Sequence, residues 1–205
     1  MLRSLVGSEM CIRDRIDDII LDATKNNLKQ VENRFFLRQA PKCILVIQFD
    51  GDNRVTMFKK ARELAKHLEN EFCAYACVEL FESDEIQRVW DLRKAGLGLL
   101  MGLGKESRTP AFCEDTAVRV KDLPDYVKDI ETILDKHDTH CVFYAHASVG
   151  ELHFRPMIDT TSIEGVTKMK QMAQEFAGTV RRYRGSLSGE HGDGRARTPF
   201  IEEVL

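Results

Sequence analysis

The stretch Cys141 to Pro156, CVFYAHASVGELHFRP, constrains the fold more than any other part of the chain. Two runs rich in apolar residues, Cys141 to Ala147 and Glu151 to Pro156, are separated by a connection too short for anything but a hairpin. A parallel crossover would need a dozen residues or more. At least one strand pair is therefore antiparallel, and a purely parallel sheet is excluded. The rest of the chain supplies helices and further strands. Ile16 to Leu37 reads as a helix, or a helix followed by a connector. Cys43 to Phe49, CILVIQF, reads as a buried strand, and Asn53 to Asn70 as an amphipathic helix. Cys73 to Leu80 reads as a second strand. A helix over Glu82 to Leu100 is expected to break into a flexible loop at Gly96, Gly98, Gly102 and Gly104. Phe112 to Val120 is expected as a short strand containing Glu114 and Asp115, followed by a helix over Asp122 to His137. Thr161-Ser162 caps a long helix carrying Ile163, Val166, Met169, Ala173, Phe176 and Val180. No strand leads into a GxGxxG loop and there is no P-loop. The pattern predicts an α+β fold, an antiparallel sheet covered by helices.

The 205 residues suffice for one large domain or two small ones. A net charge of −3 gives no electrostatic case for nucleic acid or an anionic membrane surface, and no apolar run has the length of a transmembrane segment. The six cysteines are scattered, without the spacing of a zinc or iron–sulfur site, and read as buried free thiols of a reducing compartment. That favours a cytoplasmic protein, peripheral at a membrane at most. The first residues, LVGSEMCIRDR, look like a translated sequencing adapter, so residues 1–15 are set aside as foreign to the native chain. The remainder, 16–205, ends at IEEVL in what reads as mid-helix, as expected of a fragment cut at both ends.

Two stretches carry chemistry. Gly185 to Gly194, GSLSGEHGDG, places Glu190 and His191 side by side among glycines, where a loop can turn both side chains toward one point. Tyr144 to Pro156 carries His146 and His153. With Val149-Gly150 at the hairpin centre, the two imidazoles stand directly opposed, their Cβ atoms roughly 4.5–5.5 Å apart. Val149 disfavours a type I′ turn, which leaves a type II or wider turn open. Two opposed imidazoles can bind one divalent cation, and nitrogen ligation with a carboxylate suits zinc, manganese or iron(II) better than magnesium or calcium. Arg155 would project from the same face, where a guanidinium suits a substrate carboxylate. Against this stands the plainer reading of satisfied strand histidines and a solvated turn. His67, His137 and His140 read as surface residues, while Arg195 and Arg197 either line the site or pair with surface acids.

Three segments, WDLRKAG, YAHASVGELHFRP and GSLSGEHGDGRARTPF, together with EDTAVRVKDLPDYV, resemble the C-terminal cap domain of FAD-linked oxidases. These belong to the vanillyl-alcohol-oxidase-like superfamily, and the similarity is to its glycolate oxidase, D-lactate and D-2-hydroxyglutarate dehydrogenase branch. The resemblance implies a ferredoxin-like cap domain over a flavin held mainly by a separate N-terminal FAD domain outside this chain. It is also close to long bacterial forms with a fused iron–sulfur region. It implies metal ligation by His146, His153 and Glu190, with His191 as the base that takes the hydroxyl proton and Arg93 as the clamp on the substrate carboxylate. Gly189 and Gly192 would let the loop pass close to the flavin. The implied reaction is oxidation of a D-2-hydroxy acid, of lactate, glycolate or 2-hydroxyglutarate type, with hydride transfer to FAD. Some positions depart from the hydroxyglutarate pattern. Ala147-Ser148-Val149-Gly150-Glu151 replaces a Gly-Asp-Gly-Asn segment, Arg155 replaces an asparagine, and Leu97 and Cys113 replace polar residues. A metal-binding or dimerisation module without redox activity is the alternative, and a flavoprotein acting on an aldehyde or alcohol a third.

Overall fold

The computed structural model describes residues 11–71, 73–101 and 108–205, with the side chains of residues 11–13, 97 and 101 outside that description. A five-stranded sheet runs in the order β2-β1-β4-β5-β3. Its strands are β1 (Cys11–Asp17), β2 (Cys43–Phe49), β3 (Thr116–Ala117), β4 (Cys141–His146) and β5 (Glu151–Pro156). Every neighbouring pair is antiparallel, so the expected α+β class stands. The helices are α1 (Asp18–Ala23), α2 (Arg54–Asn70), α3 (Ser83–Met101), α4 (Leu123–Lys136), α5 (Ile163–Arg182), α6 (Gly194–Arg197) and α7 (Ile201–Val204).

Strand alternation sends neighbouring side chains to opposite faces, and each face has its own core. On one face Ala145, Leu152 and Phe154 meet Tyr126, Ile130 and Leu134 of α4 and Met172, Phe176 and Val180 of α5. Both helices carry their apolar residues at helical spacing, and Ser162 caps α5 by accepting from the Gly165 N–H. On the other face Ile16, Val142 and Tyr144 meet Ile20 and Leu21 of α1 and Val89, Leu92 and Leu100 of α3. The hairpin end of this second face carries the candidate site.

Several expected elements form differently. Ile16 lies in β1 rather than in a helix, and α1 begins only at Asp18. β2 is an edge strand with none of its residues fully buried, and Leu45 is 50% exposed. Cys73 to Leu80 is not a strand. Its described residues run as a strap along α2, where the Cys77 N–H donates to the Glu69 carboxylate and the Cys77 thiol to the Ala65 carbonyl, in place of strand partners. Gly96 and Gly98 do not end α3. A Cβ at Gly96 would sit 2.4 Å from Ile20 Cγ2, so this glycine is what lets α1 and α3 touch. Gly102 and Gly104 lie outside the described residues. The Phe112 to Val120 strand shrinks to Thr116–Ala117 because Asp115 takes a left-handed conformation at φ 72. The described cysteines are free, but only Cys113 is buried; Cys43 and Cys73 are exposed.

Candidate functional site

The hairpin register differs from the expected one. Tyr144 pairs with His153, His146 with Glu151, and Val142 with Arg155. The connection is a short 3-10 turn over Ala147–Val149 closed by Gly150, so the wider of the turns left open is the one formed. A slip of two residues preserves face parity, and the two histidines remain neighbours, now diagonal rather than opposed. Their ring centroids lie 5.4 Å apart with planes at 84°.

His146 Nδ1 lies 2.7 Å from Asp14 Oδ1. A carboxylate on that nitrogen fixes the tautomer and turns Nε2 outward as an acceptor. The Asp14 hydrogen bond raises the His146 pKa, while burial works the other way. For Asp14 burial pushes upward, but His146 and Arg93 together hold it below the ordinary carboxylate value. His153 is 1% exposed, and its ring stacks on Tyr144 at 4.5 Å and 12°. Burial first, and then the charge of His146, press its pKa down to about 4, so its imidazole is neutral near pH 7. Its Nδ1 is buried without a hydrogen-bond partner among the described residues.

Loop 185–194 is wrapped around a single carboxylate. Asp115 accepts from Ser188 Oγ at 2.6 Å and from the backbone N–H groups of Gly189, Glu190 and His191 at 3.0, 2.9 and 3.0 Å. Successive N–H groups converging on one anion form a nest. Burial raises the Asp115 pKa, but its contact with Glu151, the Ser188 hydroxyl and the two N–H groups of Glu190 and His191 outweigh it and hold Asp115 far below the usual range. A Cβ at Gly189 would lie 2.9 Å from Glu151 Cδ, so that glycine serves close packing on Glu151, whereas Gly192 faces open space. The curl brings Glu190 Oε1 to 3.8 Å from Nε2 of both His146 and His153. His191 Nε2 lies 3.2 Å from the same oxygen. His146, His153 and Glu190 thus offer donor atoms all within 4.8 Å of one another.

Arg93 reaches this group from α3. Its Nε donates to Asp14 Oδ2 at 2.9 Å and one terminal nitrogen lies 3.4 Å from His146 Nε2, with the guanidinium over the Tyr144 ring. Arg155 shares the face, but its fork is held by Glu114 at 2.6 and 2.7 Å, and the Tyr144 hydroxyl donates to the same carboxylate. Of the two downstream arginines, Arg197 is buried, donating to the carbonyls of Glu114 and Gly192 and lying 3.5 Å from Asp115. Cys113 is buried in the apolar core with its thiol toward the Phe154 carbonyl, and the Leu97 side chain lies outside the described residues. His137 is half-buried against Glu175 rather than a free surface residue.

The site residues that sequence reasoning passed over are acids. Asp14 falls in the segment set aside, and Glu114, Asp115 and Glu151 read as ordinary strand residues. A signal existed for the middle pair: two adjacent acids inside an apolar stretch need buried cationic or N–H partners.

With this geometry in view, the chain matches the family described as FAD linked oxidases, C-terminal domain, over residues 14–205, and it belongs to that family. It is 30% identical over 157 residues to a D-2-hydroxyglutarate dehydrogenase of Haemophilus influenzae, covering 73% of this chain and 15% of that protein. It is 31% identical over 166 residues to a D-2-hydroxyglutarate dehydrogenase of Pseudomonas putida, covering 79% of this chain and 16% of that protein. A glycolate oxidase subunit GlcD of Bacillus subtilis is 29% identical over 125 residues, covering 60% of this chain and 25% of the relative. The chain therefore spans only a minor part of the length of the curated relatives it matches. Among the described residues no helix is long and apolar enough to cross a membrane.

Proposed function

We propose that this chain forms the substrate-facing half of a flavin-dependent dehydrogenase that oxidises a D-2-hydroxy acid to the 2-oxo acid. The observation that carries the reading is the convergence of His146, His153 and Glu190, with His191 and Arg93 at its edge. Two imidazoles, one with its tautomer set by Asp14 and one held neutral by burial, plus a carboxylate suit zinc, manganese or iron(II). When bound, such a cation lowers the pKa of a coordinated hydroxyl. FAD, held mainly by a separate N-terminal domain, would supply the two-electron acceptor.

Each residue then has a defined task. Arg93 lies beside His146 Nε2 and orients the substrate carboxylate by charge-assisted hydrogen bonds. His191 Nε2 receives the hydroxyl proton, for which it must be neutral and within hydrogen-bond reach. The C2 hydrogen would leave with its electron pair, two electrons that bound FAD would take up. Arg155, already paired with Glu114, acts on the carboxylate through charge and through its hold on Tyr144 and His153's surroundings rather than as the main clamp. Gly189 keeps the loop close to Glu151, and Gly192 borders the flavin side. A cytoplasmic location and a fused iron–sulfur region belong to the same reading, and the acceptor that reoxidises the flavin lies outside this chain.

The test uses the full-length protein that carries this chain. D-2-hydroxyglutarate, D-lactate and glycolate are added under anaerobic conditions and the flavin band is followed. Bleaching by one of them, and not by the L enantiomer of a chiral substrate, is expected. His191→Ala should lower kcat by about 10²–10⁴-fold with little change in KM. A flavin left oxidised by all three acids sinks the reading. Unchanged turnover in the His191 variant removes that residue from the proton step.

A further inference from the structure

His146 and His153 are held by different means. His146 Nδ1 meets the Asp14 carboxylate at 2.7 Å, the usual device by which a metal-binding imidazole is oriented through its second nitrogen. His153 lacks that device, because its Nδ1 is buried without a hydrogen bond among the described residues. An imidazole untethered at that nitrogen can turn about its Cβ–Cγ bond, a soft torsion. Such a turn carries Nε2 away from Glu190 Oε1, which it faces at 3.8 Å. Some other contact must fix the plane of the ring.

Among the described residues three aromatic rings stand round His153, and one of them is parallel to it. His146 lies at 84° and His191 at 52°, whereas Tyr144 is only 12° from coplanar, with centroids 4.5 Å apart. Tyr144 is the residue directly across the hairpin, so the stack is a cross-strand pair set by the register. Offset stacking is a favoured arrangement of two flat rings, and rotation of the imidazole would break it. Tyr144 is itself fixed. It is buried, and its hydroxyl donates to Glu114 Oε2 at 3.0 Å. Glu114 is forked onto Arg155 at 2.6 and 2.7 Å, and Arg155 also donates to the Thr109 carbonyl at 3.4 Å. A buried ion pair keeps a definite geometry when further hydrogen bonds satisfy it, and the Tyr144 hydroxyl supplies one of them. The Arg93 guanidinium carbon lies 5.8 Å from the Tyr144 ring centroid, within cation–π reach.

We propose that Tyr144 is a positioning residue: its ring, pinned by Glu114 and Arg155, fixes the plane in which His153 presents Nε2 to the cation. The proposal rests on the metal-binding reading given above. It gives the buried Glu114–Arg155 pair a task at the site that needs no contact with the cation.

The experiment is cobalt(II) titration of the full-length protein, stripped of metal, with zinc as competitor. The parent is compared with Tyr144→Phe, Tyr144→Leu and Tyr144→Met, and thermal melting of the metal-free forms shows which are folded. Phe keeps the stacked ring and loses only the hydroxyl, while Leu and Met fill much of the volume without a flat face. In whichever of the Leu and Met proteins folds, cobalt binding should weaken by about 10–100-fold, the cost of losing an imidazole's outer support, with a changed ligand-field band. Tyr144→Phe should weaken binding by less than about tenfold and keep the parent band. A role in the core alone would lower melting temperatures and leave the binding and the band of the folded proteins where they are. That result would overturn the proposal, as would a Phe loss as large as the Leu or Met loss. Failure to fold by the Phe protein, or by both the Leu and Met proteins, would overturn it too. A parent that binds no cobalt overturns the metal reading beneath it as well, whereas a parent that binds cobalt and a folded Leu or Met protein that binds it equally well defeats Tyr144 alone.

Discussion

At the scale of single residues, the site is a set of acids that each hold something else. Asp14 holds His146 and Arg93, Glu114 holds Arg155 and Tyr144, and Asp115 holds the backbone of the loop. The histidines and the Glu190-His191 pair were legible in the sequence because imidazoles are few and the strand period fixes which of them share a face. Asp14 and Glu151 were not, since an isolated Asp or Glu looks the same in sequence whether it is solvated or buried, and the adjacent Glu114 and Asp115 signalled buried partners without saying which. Asp115 is the sharpest case, and it makes a prediction. Asp115→Asn replaces one acceptor oxygen by an NH₂ group that faces donors, so part of the nest turns repulsive. In the full-length enzyme the variant should lose metal retention and kcat/KM by about 10–100-fold, the range for supports of a metal site. Ser188→Ala removes one hydroxyl donor and should cost far less. Metal content after dialysis, read beside steady-state kinetics, decides it: an Asp115→Asn protein that keeps its metal and its kinetics would show that the loop holds its shape without the nest.

At the scale of elements, sequence period located the helices α2, α4 and α5 and the β4–β5 hairpin, where local pattern and burial agree. It failed where tertiary partners decide. Cys73 to Leu80 has strand-like composition but hydrogen-bonds to α2 instead of a neighbouring strand. Gly96 sits mid-helix because Ile20 needs the space, a contact no window of sequence contains. The central strand is the most instructive. β1 lies between β2 and β4, and its first residues fall inside the segment read as foreign. The family match begins at residue 14, within the same segment. Strand position explains what must be true of any residue there: position 14 pairs with His146 across the sheet and faces its Nδ1. We predict that Asp14→Ala in the full-length protein, which leaves His146 Nδ1 without its acceptor, weakens metal retention by about 10–100-fold, and that Asp14→Asn, which keeps an acceptor there, costs less. Unchanged metal content in the Asp14→Ala protein would show that the strand does not set the imidazole.

At the scale of the whole molecule, the site is built but not enclosed. His146, His153 and Glu190 all come from this chain, yet Glu190 and His191 keep side-chain exposures of 47% and 60%. A hydride transfer needs its reacting atoms shielded from water and its acceptor held against the substrate, and neither can come from one open face. Cation binding asks for less, because its donors are fixed by a hairpin register and by a loop anchored on Asp115. The two properties should therefore separate. The 205-residue chain expressed alone is expected to take up cobalt(II) or zinc, and its His146→Ala form to lose that uptake. Mixed with free FAD and a D-2-hydroxy acid, the same chain should leave the flavin oxidised, while the full-length protein bleaches it. Equilibrium dialysis reads the first property and anaerobic absorbance the second. Turnover by the chain alone would mean that this face needs no cover. A folded chain with no cation uptake would mean that its donors are set in place only by the remainder of the protein, so that the hairpin and loop described here are necessary to the site but not sufficient for it.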